Sequence, residues 1–201
     1  MSAILNTNEN KPIKARIIPP LGDNGPDYSD DSPLEGKTSV SLLLGRSITI
    51  LHVDDDECFL ELAKVYLEDY LGSDLEIVSI SDPRQVFLAF EKRSFDVIVS
   101  DYQMPEMTGL ELLLKLRKQG ISVPFIILTG KDPSALVKQS LDSMGFKHPH
   151  RCLLDTLGID CTSTEQILNF FGIYHCFRKE RELTSLFYEL AIFLLSILET
   201  R

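Results

Sequence analysis

The sequence predicts an α/β protein built on a parallel sheet with helices on both faces. Three observations predict it. Short apolar runs rich in β-branched residues alternate four times with helical stretches between residues 47 and 145. The runs are apolar on both faces, as strands in a covered parallel sheet are. The notable polar groups fall where those runs end, at the carboxyl edge where open α/β sheets form their sites.

The elements follow in order. SITILHV (47–53) reads as a buried strand that stops abruptly at DDDE. Phe59, Leu60, Ala63, Tyr66, Leu67, Tyr70 and Leu71 then recur at three- and four-residue steps, the stripe of an amphipathic helix that Gly72 ends. LEIVSI (75–80) is a second strand. Asp82-Pro83 supplies a cap and a proline for a helix with Val86, Phe87 and Phe90 on its apolar face. FDVIVSD (95–101) is a third strand, followed by the loop YQMPEMTG and a helix carrying Leu110, Leu113, Leu114 and Arg117, closed by Gly120. VPFIILTG (123–130) is a fourth strand. Asp132-Pro133 repeats the cap, and Leu136, Val137, Ser140, Leu141 and Met144 continue as a helix to Gly145.

The flanks differ. Residues 1–46 are rich in Pro, Gly, Asn, Asp and Ser and lack apolar periodicity, so they read as a disordered leader. Residues 47–150 form the expected folded domain, and 151–201 a divergent C-terminal region with a possible fifth strand and terminal helices. The first residues lack the basic start and apolar core of a signal peptide, which predicts a cytoplasmic protein. Cys58, Cys152, Cys161 and Cys176 match no metal or disulfide spacing and read as free thiols.

The formal net charge is −10, and residues 47–145 hold 9 Lys/Arg against 17 Asp/Glu. Such a domain is a poor non-specific nucleic-acid binder and a good host for a divalent cation. The first strand ends in Asp54-Asp55-Asp56-Glu57, the third in Asp101 and the fourth in Thr129-Gly130-Lys131. In a parallel sheet these groups converge. Carboxylates packed together repel unless a cation compensates, and magnesium suits hard oxygen ligands. A carboxylate beside such an ion can attack a phosphoryl group, with the Thr129 hydroxyl and the Gly130 N–H available to its oxygens. Any one of these residues alone would read as a turn former or a cap, Asp56 or Glu57 for the first helix included. The combination at strand ends one, three and four carries the inference.

ILHVDDDE, VIVSDYQMPEMTGLELL and VPFIILTGKD resemble the receiver domain of two-component response regulators over about residues 47–145. The resemblance implies a flavodoxin-like, doubly wound sheet of five strands and five helices. It implies that Asp101 accepts a phosphoryl group from a histidine kinase or phosphotransfer protein. Asp54, Asp55, Asp101 and the Gln103 backbone carbonyl would hold Mg2+, and Thr129 would be the switch hydroxyl. Signalling would then run through contacts with a downstream protein. The chain would not be an enzyme beyond its own phosphorylation and dephosphorylation. The second Asp that aspartate-nucleophile phosphatases carry two residues after the nucleophile is replaced here by Gln103.

Receivers also place a Lys at the end of the fifth strand, about twenty residues past the Thr. Lys147 comes early here, and Arg151 stands near the expected place without a following Pro. Both are candidates for that cation, and Lys131 is a third, read as exposed in its loop. RCLLDTLGI is the best substitute for the fifth strand. This departure motivates a second reading, a degenerate receiver that acts as a phosphorylation-independent scaffold. Ser163 or Thr164 could cap a helix through STEQILNFFGIYHC that Gly172 interrupts, and RKERELTSLFYELAIFLLSILETR reads as a stronger helix. The latter is expected to pack on the sheet as the domain's last helix, with a homodimer contact as the alternative. It is too short for a membrane span and carries Glu189. His148, His150 and His175 lack ligand spacing, and the tail shows no DNA-recognition helix.

Overall fold

The structure is a computed structural model, and it describes residues 44–72, 75–131, 172–179 and 182–199. Five parallel strands form one sheet in the order β2-β1-β3-β4-β5, which is the doubly wound, flavodoxin-like topology expected. The strands are β1 (Thr49–Val53), β2 (Glu76–Ile80), β3 (Val97–Asp101), β4 (Phe125–Thr129) and β5 (Ile173–Arg178). The helices are α1 (Glu57–Leu71), α2 (Val86–Lys92), α3 (Gly109–Lys118) and α4 (Leu183–Leu198).

Local chemistry sets the boundaries. Asp56 caps α1, its carboxylate accepting from the Phe59 N–H, and Gly72 ends the helix at φ 101°. Asp82 caps a short 3-10 turn, Pro83–Gln85, that leads into α2. Thr108 and Glu111 form a reciprocal capping box on α3. These caps hold three helix starts close to the carboxyl ends of β1, β2 and β3.

The sheet separates two apolar layers. Ile48, Ile50, Val97, Ile126, Leu128 and Phe177 face α1 and α4, while Leu51, Val53, Ile98, Phe125 and Ile127 face α2 and α3. The central strands β3 and β4 are buried at every position. β2, expected to be covered on both faces, is an edge strand with Glu76 and Ser79 exposed, because only β1 pairs with it.

The fifth strand corrects the sequence reading. It is not RCLLDTLGI but Ile173–Arg178, paired to β4 with Thr129 opposite Arg178. The sequence pattern predicts for this stretch a helix ending at Cys176 and interrupted by Gly172. Instead Gly172, at φ 77°, opens the strand, and the β-branched and aromatic residues after it favour a pleated surface. A bulge leaves Tyr174 between the pairs Phe125–Ile173 and Ile126–His175. α4 is the domain's last helix, packed on the sheet as expected, with Leu186, Phe187, Leu190, Ala191, Leu194 and Leu195 wholly buried. It begins later than the sequence suggested, since Arg178 ends β5.

The folded unit therefore extends to residue 198 and begins before 47. Leu44 packs against the core, and Arg46 pairs with Asp96. Lys147, Arg151, His148, His150, Cys152, Cys161, the helix expected over 133–145 and the leader up to residue 43 lie outside the described residues. Among the described residues no helix is long and apolar enough to cross a membrane.

Candidate functional site

The strand registers assemble the site. Val53 pairs with Ser100, Asp101 with Leu128, and Thr129 with Arg178, so the next residue of each strand arrives at one edge. Backbone bonds fix the exits: Asp54 N–H to Ile80 O at 3.1 Å, Tyr102 N–H to Leu128 O at 2.9 Å, and Lys179 N–H to Thr129 O at 2.7 Å.

Asp54, Asp101 and Thr129 are buried at that edge. The cation facing both carboxylates is Lys179, whose Nζ lies 2.6 Å from Asp54 Oδ2 and 2.6 Å from Asp101 Oδ1. It also stands 4.3 Å from the centroid of the Phe59 ring. Asp54 Oδ1 accepts the Asp56 N–H at 3.1 Å, and Asp101 Oδ2 accepts the Gln103 N–H. Asp55 and Gln103 are exposed at the rim, and so is Gly130. The Thr129 hydroxyl accepts the Lys131 N–H at 2.9 Å, and Lys131 is half-buried rather than exposed.

Two supports keep Asp101 in place. Ser100 Oγ donates to the Asp101 carbonyl at 2.8 Å. Gly109 lies so close that a Cβ there would stand 2.5 Å from the same carbonyl oxygen. The glycine of MPEMTG is thus required by contact between the start of α3 and the end of β3.

Burial raises the Asp54 carboxyl above its ordinary value, and the Lys179 hydrogen bond only partly offsets this. Burial opposes the Lys179 charge, but its bonds to Asp101 and Asp54 prevail and raise its pKa. His52 beneath them is pushed down to about 3 by burial and then by Lys179, and neither ring nitrogen has a partner among the described residues.

Two buried carboxylates therefore share one ammonium. That imbalance and the all-oxygen donor set fit a hard divalent cation that takes few carboxylates and keeps its waters. Among the described residues no three ligating side chains already stand together around one point. The fit therefore rests on Asp54 and Asp101, with Asp55 and the Gln103 carbonyl at the rim.

Sequence reasoning brought Asp54, Asp101 and Thr129 to one edge and missed Lys179 and Phe59. The signal for Lys179 was GIYHCFRK, an aromatic strand ending in a basic residue. It was hidden by residues 130–172 between the strands and by Glu180 where a proline was expected.

A parallel sheet in this order with an acidic, lysine-bridged pocket over its carboxyl edge is the architecture of receiver domains. The chain carries such a domain: residues 50–148 match the family model of the response regulator receiver domain. The match stops before β5, so the family resemblance alone does not reach Lys179. Among curated relatives, the probable transcriptional regulatory protein TcrX of Mycobacterium tuberculosis is 34% identical over 44% of this chain and 36% of its own length. The alkaline phosphatase synthesis transcriptional regulatory protein PhoP of Bacillus subtilis is 34% identical over 41% of the chain and 33% of its own length. The chain thus spans about a third of each of these relatives. The receiver domain of the Francisella response regulator 1452 superposes with a TM-score of 0.51 at 21% identity, covering 77% of this chain and 98% of that one. A receiver domain protein from Clostridium thermocellum gives 0.51 at 19% identity, over 76% and 95%. These two show a shared fold. Response regulator receivers are signalling modules rather than classical enzymes.

Proposed function

We propose that Asp101 accepts a phosphoryl group from a histidine kinase or phosphotransfer protein, and that the domain signals to a downstream protein. The observation that carries this reading is the Lys179 ammonium bridging Asp54 and Asp101. It offers the cation for which Lys147 and Arg151 were candidates, and this supports phosphoryl chemistry over a phosphorylation-independent scaffold.

The chemistry follows from the residues. An Asp101 carboxylate oxygen attacks the phosphorus of the donor, the bond to the donor breaks, and its electron pair leaves with the donor. Lys179, already beside Asp101, pairs with a phosphoryl oxygen, and the Gln103 N–H steadies the carboxylate. Thr129 can give up the contact with the Lys131 N–H and turn its hydroxyl toward the phosphoryl group, with the Gly130 N–H beside it. That rotation is the local event that biases the surface around β4 and β5. Asp54, Asp55, Asp101 and the Gln103 carbonyl would hold Mg2+, which supplies charge compensation and alignment at the transferring group. The domain works in the cytoplasm in this reading and contacts neither DNA nor membrane.

Intact-mass measurement after incubation with acetyl phosphate and Mg2+ tests it. Wild type gains one phosphoryl group that hydroxylamine removes, and Asp101→Asn gains none. Equal labelling of Asp101→Asn would overturn the assignment.

A further inference from the structure

The Lys179 ammonium has a third neighbour besides the two carboxylates, the face of Phe59 at 4.3 Å. The ring is held in place. Phe187, fully buried on α4, packs against it at 5.5 Å and is itself stacked on Tyr66 at 5.1 Å. His52 meets its edge at 6.0 Å. Phe59 lies in the first turn of α1, which the Asp56 cap fixes next to Asp54.

This geometry matters because the site asks two things of one ammonium. A metal at Asp54 competes with Lys179 for the same carboxylate, since one of its oxygens accepts from Lys179 and the other from the Asp56 N–H, and the two cations repel each other. Yet Lys179 must stay at Asp101 to meet the phosphoryl group. A cation that loses one of two carboxylate partners in a buried site loses much of its stabilisation. The electron-rich face of a fixed aromatic ring attracts a cation without carrying charge and without competing as a metal ligand.

We infer that Phe59 is a positioning residue: its ring holds the Lys179 ammonium while Asp54 exchanges that ammonium for the metal. The inference rests on the phosphoacceptor reading above and adds a role for a residue outside the acidic pocket. In a purely structural role the ring would fill space between α1 and α4, and any apolar side chain of that volume would serve.

A double-mutant cycle read by Mg2+ calorimetry separates the two roles. Phe59→Met keeps the volume with a flexible side chain and removes the ring face. It is expected to raise the Mg2+ dissociation constant about 3- to 10-fold, the range of one partly buried cation–π contact. Phe59→Tyr, which keeps the ring face, stays within about twofold of wild type by the same reasoning. In a Lys179→Met background, where no ammonium remains to be held, Phe59→Met is expected to change Mg2+ affinity by less than about twofold. Tyr66→Leu controls for damage to the same aromatic stack away from Lys179 and leaves Mg2+ affinity unchanged. An equal effect of Phe59→Met with and without Lys179, or no effect in either background, overturns the inference. If wild type binds Mg2+ and labels at Asp101 while the cycle shows no coupling, the inference alone fails. If wild type binds no Mg2+ or Asp101→Asn still labels, the phosphoacceptor reading fails with it.

Discussion

Lys179 Nζ lies 2.6 Å from Asp54 Oδ2, which ties the residue after the last strand to the residue after the first. The pair reaches across two intervening strands of the sheet, because β1 and β5 are separated by β3 and β4. It forms only when β5 is in register, and it decides how the pocket balances its charge.

Removing that cation separates stability from chemistry. Lys179→Met leaves Asp54 and Asp101 facing each other, and metal-free stability should fall by about 1–3 kcal/mol, less than for a fully buried pair because Lys179 is 22% exposed. Mg2+ should restore more stability to this variant than to wild type. The phosphorylation rate should still fall at least about tenfold, since the ammonium that meets the phosphoryl oxygen is gone. Thermal unfolding with and without Mg2+ measures the first effect and acetyl phosphate labelling the second.

Arg117 sets where β5 begins. Its guanidinium donates to the carbonyls of Ile121 at 2.7 Å, Val123 at 2.9 Å and Gly172 at 3.2 Å. A slip of one residue would turn every β5 side chain to the wrong face and carry Lys179 away from Asp101. Arg117→Met should cost about 2–4 kcal/mol in urea unfolding, through three carbonyls left without their charged donor. It should also slow labelling of Asp101 although no atom of Arg117 is bonded to the site.

Gly109 tests the close approach of α3 to β3. A methyl group there meets the Asp101 carbonyl oxygen at 2.5 Å, so Gly109→Ala must push the end of β3 or the start of α3 aside. Loss of about 1–3 kcal/mol is expected from this overpacking, with slower labelling because Asp101 itself shifts. A Gly109→Ala protein with wild-type stability and rate would show that the loop yields freely.

His52 gives the pH dependence. Burial holds its folded pKa at about 3, below the ordinary imidazole value of 6.5, so the folded protein binds fewer protons than the unfolded chain between those values. Stability from this group is complete above pH 6.5 and is lost as pH falls toward 3, at about 1 kcal/mol per unit. In metal-free protein, His52→Leu should flatten this acid limb and gain relative to wild type as pH drops from 7 to 5. Parallel urea midpoints for both proteins over that range would contradict the assignment.

Four strands were legible because each is a short apolar run bounded by a cap or a glycine. The carboxylates were legible because they sit at the ends of those runs. β5 was not, for a physical reason. Its alternation is broken by the bulge at Tyr174, and as an edge strand it leaves Tyr174 and His175 exposed, so no continuous apolar run marks it. Lys179 was then read as the polar start of a helix, a place where lysines are common. Phe59 looked like core from its spacing and is partly buried, but only the fold shows a cation over its face. β2 was read as fully covered because Ile77, Val78 and Ile80 are apolar, although Glu76 and Ser79 are the exposed positions of an edge strand.

The most direct test of this account compares initial rates of Asp101 labelling by acetyl phosphate at saturating Mg2+ for Lys179→Ala, Lys147→Ala and Arg151→Ala. The account predicts that Lys179→Ala alone loses at least about tenfold, while the other two label at the wild-type rate. A wild-type rate for Lys179→Ala, with the loss falling on Lys147→Ala or Arg151→Ala, would contradict it.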